Sequence, residues 1–190
     1  MTNFDDGDIK IFAKQSKQDD EASLIKLIEE SNIQRNNGNI SKASKLGEDI
    51  SSLILNLDEI EDADFKSAVK NPAIDEKVLY QIRMLLTFSA ESSLHRVVNT
   101  AILSTTAVNT MYDKLMQNDI QFYDDTTDAF TFYYIALRKQ NNIVERIGKR
   151  FSMLCGKEND EELMKIGSQL YLIFCRIISE IIDRVDFAVD

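Results

Sequence analysis

The sequence predicts an all-α protein: a single-domain helical bundle of about six main helices plus one short helix, with the C-terminal helix central. Three observations carry that expectation. Large apolar residues recur at steps of three and four along most of the chain, the period that lines up one face of a helix. One Pro and six Gly among 190 residues leave too few turn formers for a sandwich or barrel of tight hairpins. No segment keeps the alternate-residue pattern of a half-buried strand. With 44% hydrophobic residues, a chain of this size can fill one core.

Residues 1–18 read as a loosely ordered N-terminal segment and 19–190 as the all-α domain. Asp19 or Asp20 is placed to cap a first helix, because Leu24, Leu27 and Ile28 follow at helical spacing. Asn36-Asn37-Gly38-Asn39 ends it, with Gly38 the left-handed residue and Asn39 the next cap. Ile40, Ala43, Gly47, Ile50, Ile54 and Leu57 then mark a second helix, with Gly47 and Ala43 open to close approach by a neighbour. Asp62 to Asn71 forms the short helix, and Asn71-Pro72 opens the next, with Val78, Leu79, Ile82, Leu85 and Leu86 on one face. Serines between Phe88 and Ser93 predict a break. A stripe from Leu94 to Leu115 follows and ends at Asn118-Asp119. The next helix is predicted to start at Asp124–Thr127 and to run to Leu154, stopping at Gly156. Asn159 and Glu162 match a capping box for the last helix, which carries two adjacent apolar stripes from Leu163 to Val185. So wide an apolar arc suits a central position.

Charge and cysteine usage exclude several function classes. The chain has 22 Lys+Arg against 32 Asp+Glu, a formal net charge of −10. That balance disfavours a nucleic-acid backbone or an anionic membrane surface as partner. Cys155 and Cys175 are too few for a disulfide framework or a thiolate zinc site. The opening Met-Thr-Asn-Phe-Asp-Asp-Gly-Asp has no apolar run behind it, so no secretory signal is expected. Leu163 to Val185 holds too many charges to span lipid. The expected setting is the cytoplasm.

Two carboxylate patterns suggest chemistry. Asp124-Asp125-Thr126-Thr127-Asp128 is similar to the aspartate-rich motif of isoprenyl diphosphate synthases. That resemblance implies Asp124, Asp125 and Asp128 as ligands of magnesium against a diphosphate. Acids also suit a helix start, where they offset unpaired N–H groups, and the sequence favours this capping role. Glu158-x-x-Glu161 with Glu180-x-x-Asp183 resembles the carboxylate signature of all-α nucleoside triphosphate pyrophosphatases. In those enzymes the pairs sit on different helices. Here one helix would hold Glu161 and Glu180 about 28 Å apart, beyond the reach of one ion, unless Gly167 breaks it.

Other candidates concern binding. His95 is the only histidine, and with Glu91 and Asn99 it outlines a polar groove in which Glu91 would orient the imidazole. Arg138, Lys139, Arg146, Lys149 and Arg150 concentrate positive charge suited to a phosphate or an acidic partner. Phe122, Tyr123 and Phe132 belong to an aromatic run denser than one helix face buries, and are candidates for a partner surface. Walker loops, dinucleotide glycine fingerprints and nucleophile elbows are absent. The expected function is a helical protein–protein interaction or self-associating protein without catalytic activity. The alternative is a magnesium-dependent enzyme acting on a phosphorylated small molecule.

Overall fold

In the computed structural model the described residues are 16–138 and 141–188, with side-chain surroundings described from 23 onward. Among them all regular structure is helical, in eight α-helices and one 3₁₀ turn. The order is α1 (Ser16–Asn36), α2 (Asn39–Leu55), the 3₁₀ turn Leu57–Glu59, α3 (Ala63–Val69), α4 (Glu76–Val97) and α5 (Ala101–Asn118). Then come α6 (Ile120–Leu137), α7 (Ile143–Leu154) and α8 (Glu161–Asp183). Among the described residues, no helix is long and apolar enough to cross a membrane.

The bundle expected from the apolar periods is present, built largely from two tight helix pairs. α2 lies against α5 at Gly47, where a Cβ would stand 2.3 Å from the carbonyl oxygen of Ala107. Only a missing side chain permits that approach. α7 lies against α8 in the same way: Gly148 faces the Met164 carbonyl and Ser168, and Gly167 faces the Phe151 ring. Gly167 is therefore a packing residue, and α8 continues through it unbroken.

α8 packs on α2, α3, α4 and α7, as its wide apolar arc implies. The enclosed segment, however, belongs to α4, which packs on α2, α5, α6, α7 and α8 and buries every residue from Met84 to Ala90. This is also where a break was expected. Thr87 and Ser89 do not interrupt the helix because their hydroxyls donate to the carbonyls of Arg83 and Leu85, at 2.8 and 2.7 Å. Polar side chains bonded to the preceding turn can be buried within the helix. The joint between α4 and α5 falls instead at Val98–Thr100.

Other boundaries move for equally local reasons. α4 starts at Glu76, because Asp75 accepts from the Val78 N–H at 2.9 Å while Asn71 folds residues 71–74 into a turn. The predicted helix from Asp124 to Leu154 is two helices, α6 and α7, joined through Asn142 in the left-handed region (φ 55°). α8 is capped by Asp160, which accepts from the Leu163 N–H at 3.0 Å. Asn159 is left-handed (φ 64°), and Glu162 accepts from the Asn71 side chain at 3.0 Å rather than completing a capping box. Gly38 and Gly156 are both left-handed, as expected of helix ends. At the N-terminus, α1 already includes Ser16 to Asp20; residues 1–15 lie outside the described residues.

Candidate functional site

The aspartate cluster occupies a different part of its helix from the one expected. α6 begins at Ile120, capped by Asp119, which accepts from the Phe122 N–H at 3.2 Å. Asp124, Asp125 and Asp128 thus lie within the helix and do not cap it. Asp124 and Asp128 are exposed. Asp125 accepts from the Tyr80 hydroxyl at 2.5 Å and from the Gln121 amide at 3.1 Å. Burial and the Asp125 bond hold the Tyr80 hydroxyl well above the usual tyrosine range, as a donor. Among the described residues no three His, Cys, Asp or Glu side chains are grouped to hold a metal ion. The cluster therefore lacks a convergent donor set for magnesium.

Glu91, half-buried on α4, does not orient His95. Its Oε2 accepts from the Tyr112 hydroxyl of α5 and its Oε1 from the Tyr134 hydroxyl of α6. Both phenols are pushed far above their ordinary range, by burial first and then by the Glu91 carboxylate, so they stay protonated and donate. His95 and Asn99 are exposed, and Asn99 borders a separate cavity near the end of α8. The expected groove is instead a polar seam along α4. Tyr80, Arg83 and Glu91 stitch that helix to α5 and α6. Arg83 donates to Asp119 at 3.1 Å and to the Ile54 carbonyl at 3.1 Å, and lies 4.1 Å from the centre of the Phe122 ring.

The cationic residues disperse. Arg146 turns its Nε to the Ala136 carbonyl at 3.0 Å, covering the last turn of α6. Lys149 pairs with Glu145 at 2.8 Å along α7, Arg150 approaches the Met153 sulfur at 3.8 Å, and Arg138 is exposed. Lys139 lies outside the described residues. Ala136 is eight residues beyond Asp128 on α6, about 12 Å along the axis. Arg146 therefore does not join the aspartates in a phosphate site.

The aromatic run divides. Phe122 is fully buried against Tyr80 and Arg83, and belongs to the core rather than a partner surface. Tyr123 is half-buried against the Tyr112 ring, 5.9 Å between centroids. Phe132 is exposed on α6 with Tyr134 and Ile135. Cys155 is buried, and burial first, then the Asp75 charge, raises its thiol to about 12. It is a poor nucleophile at neutral pH.

Two features were not singled out from the sequence. Leu24, Ile25, Leu27 and Ile28 of α1 are 58, 56, 51 and 52% exposed, and the helix packs chiefly on α2. Their helical spacing was legible; their exposure was not. A groove of about 660 Å³ also runs between α3 and α8, floored by Ala68, Ile166 and Ile173 with the exposed Leu172. At its mouth Arg176 is held by Asp62 and Asp64 at 2.8 and 2.9 Å.

Compared with protein-family models, curated proteins and solved structures, the chain matches none.

Proposed function

We propose that this chain is a cytoplasmic helical interaction protein, without catalytic activity, that binds another protein or itself through the apolar face of α1. The supporting observation is that Leu24, Ile25, Leu27 and Ile28 are each more than half exposed. Isolated exposed leucines are ordinary, whereas four within five residues of one helix form a contiguous patch. Three of them, Leu24, Leu27 and Ile28, follow the spacing by which an amphipathic helix enters a partner's groove. Glu29, Glu30 and Lys26 border the patch and would form a polar rim.

The test compares the wild type with Leu24→Glu/Ile28→Glu. Complexes are assayed by light scattering of the purified chain and by capture from extracts of its native cell. Substitutions at exposed positions shift stability by no more than about 0.5 kcal/mol each, so the variant should fold normally. Loss of self-association, or of a specific captured partner, supports the reading. Identical complexes with both chains would end it.

A further inference from the structure

Where α1 meets α2, a buried side-chain amide is spent on main chain far away in sequence. Asn39 is 1% exposed. Its Oδ1 accepts from the Ala188 N–H at 2.8 Å, and its Nδ2 donates to the Ala188 carbonyl at 2.9 Å. The same Nδ2 donates to the Gln34 Oε1 at 2.7 Å, and Gln34 is buried too. One carboxamide thus satisfies both polar groups of a single residue, as a neighbouring strand would, while Gln34 fixes its orientation. One turn further along α2, the Lys42 ammonium donates to the Asp186 carbonyl. Phe187 is half-buried and packs on the core, and together with Val97, Val98, Leu103 and Ile182 it lines a cavity of about 530 Å³.

The hydrogen bonds made to residues 186–188 all go to backbone atoms, so they are blind to the side chains of the occupant; selectivity rests on the packing of the Phe187 side chain. We propose that this junction is a binding site for an extended peptide carrying an aromatic residue, with residues 186–188 of the chain as its resident occupant. The segment after α8 is non-helical, and its exchange for another peptide requires no helix to unfold. Recognition by main-chain pairing plus a side-chain pocket is the logic of strand addition, here performed by an asparagine. This site is separate from the α1 patch and stands or falls without it.

A tethered occupant competes at an effective concentration on the order of millimolar, so the wild type should resist a free peptide. Ala188→Pro in the full chain deletes the N–H that Asn39 accepts and restricts residue 187, which weakens the resident segment's hold without touching a helix. The probe is an end-blocked peptide of residues 183–190, and the readout is the NMR shift of the Val98 and Leu103 amides. Losing one net hydrogen bond corresponds to about a tenfold change in occupancy. Half-saturation should therefore need about tenfold less peptide in Ala188→Pro than in the wild type, and Asn39→Leu in the same background should abolish binding. The proposal is overturned if millimolar peptide leaves both amides unmoved in Ala188→Pro, or if half-saturation equals that of the wild type.

Discussion

Replacing Gly148 by Ala sets two effects of opposite sign against each other. In an exposed helix interior the change would stabilise by about 1 kcal/mol, because Ala restricts the unfolded backbone and favours the helix. At position 148 the new methyl would stand 2.2 Å from the Met164 carbonyl oxygen and 2.2 Å from the Ser168 Oγ. Neither atom yields cheaply: the first is backbone of α8, and the second is held by its bond to the Val144 carbonyl at 3.1 Å. Relief requires α7 and α8 to part along their main contact. Overpacking of this kind costs up to about 3 kcal/mol, and a lost Ser168 bond adds about 1 kcal/mol. After the helix gain is deducted, Gly148→Ala should destabilise by about 3 kcal/mol. For a chain of this size that lowers Tm by roughly 6–12 °C. Thermal and urea unfolding followed by circular dichroism measure it directly. Gly38→Ala is the control: Gly38 has φ +80°, and nothing lies within 4 Å of the point a Cβ would occupy, so it should lose only the left-handed backbone cost, about 1–2 kcal/mol. A Gly148→Ala protein as stable as the wild type would refute the close α7–α8 contact.

Three further outcomes follow from the packing. Among the described residues the buried Tyr133 hydroxyl has no hydrogen-bond partner, so Tyr133→Phe should raise stability by about 1 kcal/mol in urea titrations; a loss would reveal a partner for that hydroxyl. Arg83→Met severs the Asp119 ion pair, the Ile54 bond and the Phe122 contact together. It should cost about 2–3 kcal/mol by the same titration, and a neutral result would mean the seam along α4 is not a fastening. Burial tends to raise the Asp62 carboxyl, but the Phe65 N–H and Arg176 outweigh it and leave the group below its ordinary value. Its contribution is thus complete above about pH 4 and lost as pH falls through the lower folded value. Wild type and Asp62→Asn should accordingly differ in stability at neutral pH and converge in acid. A gap that persists in acid would contradict that role.

How much was legible in the sequence depended on the range of the interaction. The stripes of α2 and α8 were readable because core contacts repeat with the helix itself, and Gly47 announced a close approach. Ser89 misled because composition alone does not reveal a hydroxyl donating to its own preceding turn. The aspartates at 124–128 looked like a cap only because Asp119, the actual cap, already closed the preceding helix. Glu91 meets tyrosines 21 and 43 residues away, and Asn39 meets a residue 149 positions distant. No local pattern encodes such pairings. In α1 the period correctly indicated a helix, but periodicity does not say whether anything covers the apolar face.

That face is best tested by thiol reactivity. In a Cys175→Ser background, Leu24→Cys and Ile28→Cys should react with a thiol reagent almost as fast as a free cysteine, while Leu46→Cys in the core stays unreactive. Protection of positions 24 and 28 in the isolated monomer would mean that the chain covers its own α1, and the proposed interaction surface would not exist.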